Sequence, residues 1–297
     1  MYLPEFLYCR PKTLQEACEL LEKSKNGTAI AGGTDVLVEI KKGIRLNDEL
    51  VSLGGIQELK LIKEENGTLC IGAGVKHNEV ATSSLVKNNF YAISETALKI
   101  GTDQIRNTGT IGGNLCTGAS CCDMAPVLIA FNASVEIASS KSKRIELLKD
   151  FFITHKKTLL EKAEIMTKII IPGLPKGSGV SFLKFGLRDA ASISVTSVAV
   201  YIKLDGNICA DSNIVIGAVA PVPLISKNAI NVLNGNPVNE LVENSSGLIS
   251  IGETAAKDSL PIDDIRGSAN YRRNVVKILT QRAIIEAVKR AKYSLLN

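Results

Sequence analysis

Apolar residues along the chain switch between helical and strand spacing, and each switch marks an element. Thr13-Leu-Gln-Glu16 has the spacing of a capping box, so a helix over residues 14–23 follows, with Gly27 past its end. Residues 28–30 are a short apolar strand running into Ala31-Gly-Gly-Thr-Asp35. Val36, Leu37, Val38 and Ile40 then carry a short helix stopped by Gly43. Residues 59–64 and 68–73 flank Asn66-Gly67, the strongest short hairpin signal. Helices are predicted over 78–87 and 91–100. The uncharged, glycine-rich run 108–122 follows neither period. A helix over 123–132 leaves it, with Pro126 tolerated in the first turn. After a strand over 165–171, residues 172–179 read as a linker rich in Pro and Gly. Two β-branched runs, 193–204 and 208–219, flank Asp205-Gly206-Asn207. Helices over 227–233, 239–257 and 271–293 finish the chain.

Strands and helices alternate before the linker, and strands precede helices after it, so the fold class is α+β. The expected division is 1–176, itself parted near residue 55 into 1–55 and 56–176, and 177–297. Of the 297 residues 45% are hydrophobic and 22% charged, enough apolar content for a large core. A formal net charge of +5 with scattered basic residues, no Trp and 4% aromatics gives no footprint of a nucleic-acid binder. Residues 1–12 lack the apolar stretch of a signal peptide, and 190–202 is too short to span a bilayer. The expectation is a cytoplasmic protein with no membrane segment. Seven cysteines, an odd number, fit reduced thiols. Cys116, Cys121 and Cys122 have poor metal-ligand spacing, so no metal site is expected.

The chemistry lies in two glycine pairs. Gly32-Gly33, between a strand and a helix start, leaves main-chain amides open to an anion, and Thr34 can add a hydroxyl. Gly112-Gly113 repeats the design inside Thr110-Ile-Gly-Gly-Asn114. Two such turns fit two phosphates better than one. Neither the P-loop nor the dinucleotide fingerprint is present. Asp35 and Asp123 have plain helix caps as their alternative reading. Lys184 alone reads as a surface lysine. His77 and His155, the two histidines, lie beside no candidate nucleophile, and no catalytic constellation emerges.

Ala31-Gly-Gly-Thr-Asp35, the stretch Gln104-Ile-Arg-Asn-Thr-Gly-Thr-Ile-Gly-Gly-Asn-Leu115 and Asp123 resemble the FAD-binding subunit of the molybdenum hydroxylases. So do Phe182-Leu-Lys184, Arg188-Asp189, Gly217-Ala-Val-Ala-Pro221 and Arg266-Gly-Ser-Ala-Asn-Tyr-Arg-Arg273, in the same order over nearly the whole length. Arg188-Asp189-Ala190 leans toward the xanthine dehydrogenase branch. The resemblance implies a two-subdomain FAD-binding fold of the PCMH/vanillyl-alcohol-oxidase type. A C-terminal α+β domain like that of the carbon monoxide dehydrogenase flavoprotein would follow it.

The resemblance further implies that Ala29, Ile30, Ala31, Gly32, Gly33, Thr34, Asp35 and Val36 form one flavin segment. Thr110, Ile111, Gly112, Gly113 and Asn114 form the second, with Ile100 before it. Both would hold the FAD pyrophosphate through main-chain amides. Asp123 would accept a hydrogen bond from a cofactor hydroxyl, Met166 would pack beside the cofactor, and Lys184 would sit by the isoalloxazine. Cys121-Cys122 stands where many relatives have Pro or another small residue, and the cysteine-rich insertion of some relatives is missing. Molybdopterin and [2Fe-2S] clusters would lie on a large and a small partner subunit, with NAD as the acceptor. The alternatives are a stand-alone FAD oxidoreductase of the same type, which needs an acid or base that the chain does not nominate, and an assembly subunit with a vestigial flavin site. The basic C-terminal helix has Val276, Leu279, Ala283 and Ala287 on one stripe, with Arg272, Arg273, Lys277 and Arg282 as its solvated flank.

Overall fold

Thr13 Oγ1 accepts from the Glu16 amide at 3.2 Å and opens the helix Leu14–Lys23. The Glu16 carboxylate accepts from the Lys12 amide at 2.8 Å, one residue earlier than a capping box places it. Leu14, Ala17, Cys18 and Leu21 are buried at helical spacing and cover a three-stranded parallel sheet. Its strands are β1 (Leu7–Cys9), β2 (Gly27–Ile30) and β3 (Glu49–Ser52), in the order β1-β3-β2. This computed structural model describes residues 3–296.

The second sheet begins with the hairpin β4 (Ile62–Glu65) and β5 (Thr68–Gly72). Asn66 and Gly67 turn it with φ of 52° and 73°, the conformation that favours Asn-Gly. It continues with β6 (Ser134–Ala138) and β7 (Lys143–Leu147). A separate pair follows, β8 (Phe152–Thr154) and β9 (Lys157–Thr158), before β10 (Ile165–Pro172). The order is β4-β5-β10-β6-β7, antiparallel throughout. The third sheet is the antiparallel run β11 (Ser178–Gly186), β12 (Ser194–Asp205), β13 (Ile208–Gly217) and β14 (Leu224–Ile225). On it lies the helix Ala269–Leu296. Ser181 Oγ donates to Ala283 O at 2.7 Å, and a Cβ on Gly179 would stand 2.2 Å from Ala287 O, so only glycine lets the helix come this close.

The fully buried helix Met124–Ala130 packs against Tyr91–Leu98 and against β11, β12 and β13. One hydrophobic core therefore runs from Leu69 and Ile169 of the second sheet to Phe182, Ala199 and Val215 of the third.

Several elements differ from the sequence reading. The helix expected over 78–87 is two, His77–Thr82 and Ser84–Asn89, because Ser83 turns out of helical geometry at ψ 126°. The helix expected over 239–257 shrinks to Ser246–Asp258: Asn244 has φ 64°, and Ser245 caps the Leu248 amide. Leu59 lies in the 3₁₀ turn Gln57–Lys60, and the strand starts at Ile62. Inside the aperiodic run 108–122 sits the helix Ile111–Cys116, opened by Thr110 accepting from the Gly113 amide. Arg272 is no part of a solvated flank; it is 1% exposed.

Candidate functional site

A cavity of about 560 Å³ opens where the three-stranded sheet, the second sheet and the third sheet come together. Its lining includes Ala29, Ala31, Gly32, Gly33, Thr34, Asp35, Val36, Ile100, Thr110, Gly112, Gly113, Asn114, Asp123, Met166 and Lys184. Of the residues expected to form a site, only Ile30 and Ile111 are missing. The side chain of Ile30 packs with Ile40 and Leu50, and that of Ile111 joins the main core.

The first glycine loop leaves β2 and enters the helix Val36–Lys41. Among the described residues, the amides of residues 32–36 donate to no protein acceptor. Gly33 has φ 71°, and a Cβ on Gly32 would meet Thr108 O at 2.2 Å and Gly109 Cα at 2.8 Å. The two loops thus touch, main chain against main chain. Asp35 makes no cap bond; its Oδ2 accepts from Thr117 Oγ1 at 3.4 Å, a second tie between the loops.

The second loop departs from expectation. Its amides are already committed: Ile111 to Val75 O and Gly112 to Ala73 O, both at 2.9 Å, Gly113 to Thr110 Oγ1 at 3.1 Å and Asn114 to Thr110 O at 3.0 Å. These four cannot also grip a phosphate. The loop instead forms a rigid wall, pressed so close to β5 that a Cβ on Gly112 would fall 2.5 Å from Ala73 Cβ. Asn114 Oδ1 accepts from Cys122 Sγ at 3.0 Å, which leaves its NH₂ as the donor open to a ligand.

Asp123 and Lys184 meet in the cavity wall. Lys184 Nζ donates to Asp123 Oδ2 at 2.6 Å and to Lys99 O at 3.0 Å, while Ser194 Oγ donates to Asp123 Oδ1 at 2.5 Å. Asp123 does not cap the helix that follows it. Burial pushes its carboxyl above the ordinary range, and the Lys184 ammonium and the Ser194 hydroxyl pull against that. Burial likewise raises the thiols of Cys116, Cys121 and Cys122, leaving them poor nucleophiles and ligands. Among the described residues no group of three or more His, Cys, Asp or Glu could hold a metal ion.

The motif residues of the C-terminal half converge behind this wall. Arg266 chelates Asp264 Oδ2 at 2.7 Å and 3.1 Å and donates to Ser194 O at 3.2 Å. Arg272 binds Asp264 Oδ1 and donates to Ala218 O at 3.3 Å, and the Ala218 amide donates to Ser120 O at 2.9 Å. The Arg266 guanidinium, with Arg272 adding, holds the Asp264 carboxyl well below its usual range. At the rim, the Ala191 amide reaches Gly101 O at 3.3 Å.

The family described as FAD binding domain in molybdopterin dehydrogenase matches residues 4–174, and the CO dehydrogenase flavoprotein C-terminal domain matches 181–287. The glyceraldehyde dehydrogenase medium chain of Sulfolobus acidocaldarius is 33% identical, over 96% of this chain and 99% of its own. The xanthine dehydrogenase FAD-binding subunit of Escherichia coli O157:H7 is 30% identical over 96% of each. A carbon monoxide dehydrogenase chain from Hydrogenophaga pseudoflava superposes with a TM-score of 0.92 at 28% identity, covering 98% of this chain and 99% of that one. The chain belongs to the FAD-binding medium subunits of the molybdenum hydroxylases.

As an FAD-dependent oxidoreductase subunit of this family it has a cavity whose residues fit the cofactor. The free amides of the first loop suit a diphosphate. Gly32 there cannot take a side chain, and Lys184 places a buried ammonium in the same space. One lining residue escaped sequence reasoning. His77 is 2% exposed, and its Nδ1 is enclosed without a hydrogen-bond partner. Burial, with the Arg106 charge nearby, lowers its pKa to about 4 and keeps it neutral. Its placement just after the apolar strand β5 carries no local signal of a site.

Proposed function

We propose that the diphosphate of FAD rests on the amides of residues 32–36, with Thr34, Thr110 and Asn114 beside it, and that the isoalloxazine lies toward Met166 and Lys184. Ala29, Ala31, Asp35, Val36, Ile100, Gly112 and Gly113 complete the binding surface, backed by Ile30 and Ile111. The single observation that carries this reading is the buried Lys184–Asp123 pair in the wall of the cavity that the bare amides line. FAD, when bound, supplies the exchange between one-electron carriers and hydride transfer. Lys184 places positive charge where reduction adds negative charge. Asp123, fixed by Ser194, holds that ammonium in place. The committed amides of the second loop keep the wall from yielding.

In this reading the chain is an electron relay. A large molybdopterin subunit oxidises substrate, a small subunit with [2Fe-2S] clusters passes electrons on, and NAD accepts them. The assembly is cytoplasmic, and among the described residues no helix is long and apolar enough to cross a membrane. We place the boundary between the two halves near residue 176. Arg188-Asp189-Ala190 favours a xanthine dehydrogenase-like complex.

The test is to purify the chain alone and together with a molybdopterin-binding large subunit and a [2Fe-2S] small subunit from the same source. Bound flavin in the visible spectrum, a three-subunit complex by native mass measurement and xanthine-dependent NADH formation are expected. A colourless chain that takes up no added FAD sinks the reading. Turnover with glyceraldehyde but not xanthine sinks only the choice of branch.

A further inference from the structure

We propose that the His77 imidazole binds the diphosphate of the dinucleotide as a hydrogen-bond donor at the junction of the two glycine loops, an inference that rests on assigning the cavity to FAD.

His77 begins the helix His77–Thr82, and its amide donates to Gly109 O at 3.1 Å, which fixes the ring against the second loop. Its Cδ2 lies 3.5 Å from the point where a Cβ on Gly109 would project. Thr34 Oγ1 is 3.5 Å from that same point, and Gly109 Cα stands 2.8 Å from the corresponding point on Gly32. Imidazole, Gly109 and Gly32 are therefore stacked in succession, with the free amides of the first loop next in line. Nε2 is bonded to Cδ2 and shares the ring edge turned toward Gly109.

A histidine kept only for packing satisfies its polar atoms. His77 does not: Nδ1 is enclosed with no partner. Burial keeps the ring neutral and the charge of Arg106 adds to it; Arg106 is held in place by Asn78 Oδ1, Ile100 O and Asp103. An anion entering beside them offsets that charge and accepts from Nε2–H, the ring nitrogen that is not enclosed and has no protein acceptor among the described residues, and the diphosphate is the anionic part of the dinucleotide.

The test is titration of flavin-stripped full-length protein with FAD and, separately, with riboflavin, which carries no phosphate. His77→Leu is expected to weaken FAD by about tenfold or more, the loss of one charge-assisted hydrogen bond, while riboflavin affinity stays within about twofold. His77→Gln, which keeps an N–H, is expected to retain most of the FAD affinity. If circular dichroism finds the Leu variant misfolded, His77→Phe takes its place, keeping the ring volume without the donor. Unchanged FAD affinity in the variant lacking the donor overturns the proposal, as does an equal loss of FAD and riboflavin. Failure of the unmodified protein to bind FAD overturns the cavity assignment instead.

Discussion

Lys184 Nζ lies 2.6 Å from Asp123 Oδ2, and the two side chains expose 9% and 8% of their surface. A pair this enclosed is held by mutual dependence: removing one charge strands the other in a dry site. Lys184→Met is expected to cost about 3 kcal/mol in denaturant unfolding. Adding Asp123→Asn should recover part of that loss, since the stranded carboxylate is gone. A double variant less stable than Lys184→Met would contradict the coupling.

The contact between the glycine loops makes a sharp prediction. Gly32→Ala drives a methyl into main-chain Thr108 O, which cannot rotate away, so the loops must part. Flavin absorbance per protein should fall to near zero while circular dichroism stays close to that of the unmodified chain. Gly33→Ala meets only the side chains of Ile30 and Leu37, at 3.1 Å and 3.2 Å, but must hold φ 71°. It should lose about 1–2 kcal/mol of stability and keep more flavin than Gly32→Ala.

His77 ties stability to pH. Its pKa is about 4 in the folded, flavin-free chain and near 6.5 unfolded. Between these values the unfolded chain binds more protons, so acid favours unfolding. Stability should drop by about 2 kcal/mol from pH 7.5 to pH 5 through this residue alone, and the loss should level off below pH 4. His77→Gln removes this slope. Parallel stability curves for the two proteins over that range would refute it.

Arg272 and Arg273 are neighbours with opposite surroundings. Arg272 is buried on Asp264 and Ala218 O, whereas Arg273 is exposed. Arg272→Ala should cost about 3 kcal/mol because Asp264 loses a partner and a cavity opens. Arg273→Ala should stay within about 0.5 kcal/mol. Thermal melting of the two variants separates them.

The hairpin at Asn66-Gly67, the helix after Thr13 and both glycine pairs were readable because each depends on local chemistry: a turn residue, a cap, a missing Cβ. The family resemblance supplied Met166, Asp123 and Lys184, which no spacing rule joins. What sequence could not supply was the state of the amides in the second loop, since Ala73 and Val75 accept from them only after β5 is laid alongside. The burial of Arg272 was hidden for a related reason. Helical periodicity placed it on the polar side, and its partner Asp264 lies in a loop outside that pattern. His77 stood unmarked because its meaning comes from Gly109, more than thirty positions away.

Ala191, whose amide reaches Gly101 O, and Lys184 both come from the C-terminal half, yet they complete a chamber whose floor belongs to the N-terminal half. Exchanging only one half between two relatives would therefore join a floor to a roof that had never been shaped together. Neither half lines the chamber alone, so each carries only part of its shape.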